Sequence, residues 1–406
     1  MKNETQDKDA FAIFTSEPGL AYFDSASTSL VPRLAVQRVE DFLSHTTVSS
    51  RRGAHRLAVR GGAVVEEVRS KLAHLLGTTR AQLSFQHSIP QAVTSFAIGY
   101  DWHGKNRNKI VVAQTEENDI YASLLRISSI LKLDFEIIPI DHSAHLDLAQ
   151  AEKLIDSRTG IVAVGLVPPG TGIKNPVSKI AEIAHNSGAY VICDATRGLG
   201  FAGFRLGLQD VDIVVSSANI GLLGPPGLAI QLANPILSEQ HIPGIVGSSS
   251  VSGVDSKSLE MAIQNDRFES SMINLPAIAG LGGAIDYIND IGTEHIAQRI
   301  STISDRMLHG LRDIEGLVMY GDPEASRTLF GFNLGSGDPE VMNCHDVALF
   351  LDQSNIAVRS GLVCAHPLMR AIAPDGLVQA SIHFYNTEDD VDRLVSSLRS
   401  ISSQLT

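Results

Sequence analysis

Cysteine is scarce in this 406-residue chain: Cys193, Cys344 and Cys364 are odd in number and far apart. That usage excludes a disulfide framework and points to reduced thiols. Long basic runs are missing too; nothing exceeds Arg51-Arg52, and the formal net charge is −13. Nucleic acid and anionic lipid both need a basic surface, so neither is expected as a partner. No uncharged apolar stretch reaches the length of a membrane span. The polar start MKNETQDKDAF lacks the apolar core of a signal peptide, and the expectation is a cytoplasmic protein with no membrane association. Internal repeats and low-complexity linkers are absent. No His/Cys/Asp cluster shows metal-ligand spacing, so no metal is expected. The GLGG string at Gly280–Gly283 has no strand before it, which excludes a dinucleotide fingerprint.

What is present is ordinary for a soluble globular protein: 44% hydrophobic and 19% charged residues. The length allows two domains. Short β-rich runs (KIVVAQ, DFEIIPI, TGIVAVGLV, AYVICDA, VDIVVSS) alternate with helical segments such as NDIYASLLRISSILKL and PVSKIAEIAHNSG. Apolar strands alternating with helices predict an α/β domain with a mainly parallel sheet. Near Arg267 the pattern changes to long helix, then to a mixed series ending in EDDVDRLVSSLRSIS. The expected division is a flexible segment over 1–20 and a large α/β domain over 21–265. A linker helix and a small α+β domain then fill 266–406.

Several strings, in order, carry a resemblance. They are YFDSAS (Tyr22–Ser27), RRGAH (Arg51–His55), VPPGTGIKNPV (Val167–Val177), VICDA (Val191–Ala195) and RFESSMINLPAIAGL (Arg267–Leu281). IAVRSGLVCAHPL (Ile356–Leu368) and FYNTEDDVDRL (Phe384–Leu394) complete the series. Together they resemble the class V aminotransferase family, especially its cysteine desulfurase branch. These are pyridoxal-phosphate (PLP) enzymes of fold type I. The resemblance implies a fold-type I large domain with a mainly parallel sheet and a smaller C-terminal α+β domain.

The same resemblance assigns roles residue by residue. Asp194 falls where the family places the carboxylate that pairs with the pyridinium nitrogen. Arg197 takes the place of a glutamine that touches the ring oxygen; a structural Asp–Arg pair is the other reading of these two residues. In VVSSANIGLLGPPG (Val214–Gly227), a buried strand running into a glycine-proline loop, the Schiff-base lysine position falls on Ile220 or Gly221. No lysine lies between Lys179 and Lys257. The phosphate-binding turn corresponds to Ser88-Ile89-Pro90, where proline removes a backbone donor, and a partner-subunit threonine corresponds to Met272. Ser217 and Asn219 remain as cofactor-binding candidates, should a cofactor be held. The stacking histidine maps to Glu117 and the substrate-carboxylate arginine to Gln379, while Asn386 and Thr387 are retained. Cys364, with Arg359 before it, occupies the place of the desulfurase nucleophile. It is read either as an inherited loop residue or as a thiol that accepts sulfur or attacks an electrophile. Arg52 and His55 resemble residues that reach toward a partner subunit's site.

These assignments yield a set of expectations. No cofactor is expected, PLP being the family's cofactor. Glu117, Arg197, His55 and Cys364 are expected to line one cleft that takes a small-molecule ligand, with Arg52, Arg359, Gln379 and Asn386 as substrate contacts. The chain is read as a PLP-independent homologue, either a refitted enzyme or a pseudoenzyme partner. The alternatives are PLP held noncovalently or through Lys174, and a sulfur relay through Cys364. A homodimer, or a heterodimer with an active relative, is the expected assembly.

Overall fold

The computed structural model describes residues 4–49, 53–205, 207, 210–322, 324, 328–335 and 342–404. The chain opens with α1 (Glu4–Asp9), α2 (Ile13–Ser16) and β1 (Ala21–Tyr22), and continues through α3 (Arg33–His45) and α4 (Arg56–Leu76). Strands and helices then alternate: β2 (Leu83–Gln86), α5 (Ile89–Gly99), β3 (Lys109–Ala113), α6 (Asn118–Leu131) and β4 (Asp134–Ile138). After them come α7 (Leu148–Leu154), β5 (Thr159–Ala163), α8 (Val177–Asn186), β6 (Tyr190–Asp194), β7 (Ile213–Ser217), β8 (Ala229–Ala233) and α9 (Pro235–Gln240).

Seven of these strands form one sheet in the order β2-β8-β7-β6-β5-β3-β4. The run from β7 to β4 is parallel, and β8 lies antiparallel to both its neighbours. The α/β expectation holds, with β2 and β8 as the strands that pattern reading passed over. Burial on both faces explains why the central strands are uninterrupted apolar runs. Along β3, Ile110 and Val112 join the core under α5 and α6, whereas Val111 and Ala113 join the core containing α4, α8 and helix residues beyond 275. That two-residue alternation is the pleat of a strand covered on both sides.

An antiparallel hairpin, β9 (Val251–Val254) with β10 (Leu259–Met261), stands between this domain and two long helices. The helices are α10 (Leu275–Ile291) and α11 (Thr293–Arg312), separated at Gly292, whose φ of 93° breaks what the sequence reads as one helix. After them come β11 (Leu317–Met319), β12 (Leu329–Leu334), α12 (Cys344–Asp352), β13 (Ile356–Ala357) and β14 (Arg359–Gly361). The chain closes with α13 (His366–Ile372), β15 (Leu377–Ser381) and α14 (Glu388–Ser402). A further sheet runs β11-β12-β15-β14 and is antiparallel throughout.

Part of the segment expected to be flexible, 1–20, packs on the rest of the fold. Phe11 is fully buried, with Phe14, Tyr287, Phe384 and Tyr385 around it. Lys8 holds Asp390 of α14 at 2.8 Å. The polar composition of this stretch hid a single aromatic anchor, and an aromatic side chain buries enough area to order the turns on either side of it. Tyr22 pairs with Ala357 of β13, so the chain just after residue 20 also contacts the C-terminal part.

Candidate active site

The carboxyl ends of the parallel strands form one edge of the sheet, where open α/β sheets place their sites. Asp194 is the last residue of β6, and its Oδ1 accepts the Thr196 N–H at 2.8 Å. The Thr196 hydroxyl in turn accepts the N–H of Ser217 from β7 at 3.1 Å. Burial, joined by the nearby Glu117 charge, raises the Asp194 carboxyl to about 6, against the hydrogen bonds of Thr196 and the charge of Arg197.

Arg197 follows in the turn after β6, only 3% exposed. Its guanidinium forks onto Glu117, Nη1 to Oε2 at 2.6 Å and Nη2 to Oε1 at 3.2 Å. Glu117 stands at the N-cap of α6, but its side chain makes no capping bond there. Burial works against the Arg197 charge; Glu117, then Asp194 and Cys364, outweigh burial and raise its pKa.

Cys364 sits between β14 and α13, half-buried, with Arg359 Nη2 donating to its sulfur at 2.8 Å. The other arm of Arg359 reaches the Ser27 hydroxyl at 2.7 Å, and Ser27 in turn donates to Asp24. The Cys364 backbone is tied to α6, its carbonyl accepting the Asn118 N–H at 2.7 Å. Val363 and Cys364 both adopt positive φ, 39° and 57°. For a β-branched valine this is a strained conformation, held because the surrounding loop over-determines it.

Of the four residues expected to line one cleft, Glu117 and Cys364 both act on the charge of Arg197, as does Asp194, and Arg359 bonds Cys364; His55 has its bond elsewhere. The other candidates bond largely to their own neighbours. His55 is exposed and caps α4, its Nδ1 accepting the Ala58 N–H at 3.3 Å. Arg52 lies outside the described residues. Asn386 is buried and ties chain segments together: its Oδ1 accepts from the His383 N–H, and its Nδ2 donates to the Tyr22 carbonyl, both at 2.8 Å. Ser217 and Asn219 bond each other, Oγ to Oδ1 at 2.6 Å, and Asn219 continues to Thr28 at 3.1 Å. Ile220 is a buried side chain, and Lys174 is exposed. Gln379 stands opposite Arg359 in the strand register. Its Oε1 accepts the Gly170 N–H at 2.9 Å, while its buried Nε2 has no partner.

Glu116 was not anticipated. It is 1% exposed, its Oε1 accepts the Gly165 N–H, and its Oε2 has no partner. Burial, followed by the charge of Asp194, raises its carboxyl well above the usual range. The available signal was its place: an acid three residues past the apolar run of β3, on the side of the sheet where Asp194 ends β6.

These features define an α/β protein of the PLP-dependent transferase type. The apo structure of cysteine desulfurase from Thermococcus onnurineus superposes with a TM-score of 0.90 at 26% identity, covering 100% of this chain and 99% of that one. A probable cysteine desulfurase from Methanothermobacter thermautotrophicus is 27% identical over 385 residues, 94% of each chain. The aminotransferase class-V family model matches residues 21–394, and the chain belongs to that family.

The expectation that no cofactor is held is overturned by these relatives. They are cysteine desulfurases, and a further fold neighbour is a C-DES mutant with glycine covalently linked to the PLP cofactor. Its TM-score is 0.83 at 17% identity, covering 97% of this chain and 98% of that one. Reading the altered residues one by one gave too little weight to the frame that holds them. The cleft fits PLP at the ring-nitrogen end, where the buried Asp194 carboxyl offers the partner a protonated pyridine requires. Ile220 is a buried hydrocarbon side chain.

Proposed function

We propose that this chain is a sulfur-handling protein of the cysteine desulfurase type, with Cys364 as its sulfur-bearing thiol and PLP held without a covalent link to the loop after β7. The observation that carries the reading is the Cys364 sulfur, 2.8 Å from Arg359 and near enough to Arg197 for its charge to act there, as that of Asp194 does. When bound, PLP supplies an electron-withdrawing ring. Asp194 would hold its nitrogen, and the Glu117–Arg197 pair would bound the cleft on the α6 side. Ile220 takes the family's lysine position, and no lysine occurs between Lys179 and Lys257 to replace it. Lys174 is exposed, which gives no support to a relocated imine.

Cys364 performs the transfer. Its thiolate attacks the outer sulfur of a donor persulfide, R–S–SH, and a new S–S bond forms at Cys364. The donor's own S–S bond breaks, and R–S⁻ leaves with that electron pair. The persulfide so formed carries its terminal charge beside Arg359, with Arg197 close behind. We also read the assembly as a homodimer, supported by large apolar side chains left exposed on and around the β9–β10 hairpin.

The test is one sample treated two ways. PLP titration of the full chain should give a saturable absorbance change, with no PLP mass trapped by borohydride. Cysteine persulfide should add one sulfur to the intact mass, and Cys364→Ser should abolish that gain. A trapped adduct would overturn the noncovalent reading; no saturable change would overturn PLP binding; sulfur gain in the serine variant would remove Cys364 from its role.

A further inference from the structure

Arg359 opens β14 and reaches two partners at once, Nη1 to the Ser27 hydroxyl at 2.7 Å and Nη2 to the Cys364 sulfur at 2.8 Å. A guanidinium has donors only, so both partners accept from it. Ser27 has a single hydroxyl proton, which it gives to Asp24 Oδ1, and its lone pairs are left for Arg359. The direction of every bond is thereby set. Arg359 donates to the sulfur on one side, and on the other through Ser27 to Asp24.

Both ends of this chain of bonds are carried by β15. Arg359 stands opposite Gln379 in the antiparallel register. Further along the same strand, Ser381 donates its N–H to the Phe23 carbonyl at 2.7 Å, and its hydroxyl accepts the Ala26 N–H at 2.8 Å. The Ser27 N–H closes the turn on the Asp24 carbonyl at 3.0 Å. One strand therefore sets the separation between the turn over 24–27 and the root of the Arg359 side chain. The sulfur's side is held as well, because the Cys364 carbonyl accepts the Asn118 N–H from α6. What remains free is the long Arg359 side chain itself. Its fork is planar and rigid, so fixing one Nη fixes the direction of the other.

We propose that Ser27, seated on Asp24, is a positioning residue that aims Arg359 at the Cys364 sulfur and so keeps a positive charge beside any anion that this sulfur meets or bears. The sulfur-bearing role of Cys364 rests on the reading above; the aiming of Arg359 does not.

Two alkylating agents of similar shape separate charge from thiol reactivity. Iodoacetate is an anion and iodoacetamide is neutral; each forms an S–C bond at Cys364 and releases iodide. Cys193 and Cys344 are buried, and Cys364→Ser supplies the background rate. The ratio of the two rates, iodoacetate over iodoacetamide, should fall about fivefold or more in Ser27→Ala as the guanidinium turns away. A loosened fold would speed both reagents and leave that ratio where it was. Ser27→Thr keeps the hydroxyl and should stay within about twofold of the parent. An unchanged ratio in the alanine variant, or a fall that threonine shares in full, would overturn the proposal. Arg359→Lys keeps a charge without the fork, so adding Ser27→Ala to it should move the ratio by less than about twofold. A further fall as large as in the parent would show Ser27 acting other than through Arg359, and would also overturn it. The same proteins are given cysteine persulfide. A parent that gains no sulfur, while its ratio still falls in Ser27→Ala, would sink the sulfur reading and leave the aiming of Arg359 intact.

Discussion

Arg197 keeps its charge where burial alone would argue against it, because Glu117 meets it with two parallel hydrogen bonds. His241 shows the opposite outcome. Its ring lies 4.5 Å from that of Phe96 and is stacked on Phe268, and burial, then Lys105 and Arg267, lower its pKa to about 4. The neutral ring is the one that fits. In the unfolded chain the same histidine titrates near pH 6.5. The unfolded state therefore takes up a proton first on acidification. The stability this residue contributes is complete above about pH 6.5 and falls as pH drops toward its folded value. Replacing it tests this without interference from other groups. A His241→Gln variant should be less stable than the parent at about pH 7.5. Chemical denaturation should then show that gap shrinking by about 2 kcal/mol on going to about pH 5. A gap independent of pH would contradict the assignment.

Among the elements, α10 explains the glycine string that the sequence offered without a purpose. A Cβ on Gly283 would come 2.7 Å from the Leu34 carbonyl and 2.9 Å from the Ala35 Cα, both backbone atoms of or beside α3. Neither atom can turn aside, so the helices would have to separate. Gly62 in α4 has nothing within 4 Å of such a position. The two sites therefore predict opposite signs for the same substitution. Gly62→Ala should stabilise by up to about 1 kcal/mol through helix propensity. Gly283→Ala should cost a net 1–2 kcal/mol or so, overpacking outweighing that gain. Thermal melts of the two variants settle it, and equal shifts would contradict the packing argument. The contrast also marks how far elements were legible. β3, β5, β6 and β7 announced themselves as apolar runs, because both faces of each are buried. β8 lay inside a glycine-proline neighbourhood and gave no such signal. The resemblance pointed to Glu117, Arg197, His55 and Cys364 as one group; Glu117 and Cys364 do act on Arg197, whereas His55 caps α4. Glu116 and the Ser27–Arg359 contact were not legible, since the burial of an acid with one oxygen unpartnered and a bond across 332 residues exist only in the folded chain.

For the molecule as a whole, the surface around the hairpin is the unfinished part. Val254 is 70% exposed, Leu259 50%, Ile263 74% and Met272 61%. Isolated exposed apolar side chains need no explanation, but these four fall within 254–272. The net charge of −13 is spread over a chain with 32 basic residues, so repulsion alone does not prevent a second copy from approaching. Among the described residues no helix is long and apolar enough to cross a membrane, which removes lipid-spanning as a reason for the exposure. A second copy of the chain is the occupant proposed above. Aspartate at Val254 and Ile263 together would place two charges where that interface needs apolar contact, and burying an unpaired charge is costly. Light scattering coupled to size exclusion should then report a dimer for the parent and a monomer for Val254→Asp/Ile263→Asp. Neither side chain belongs to the core, so the melting temperature of the monomeric form should change through lost assembly rather than lost packing, and should stop depending on protein concentration. A parent that runs as a monomer, or a double variant that remains dimeric, would place the interface elsewhere.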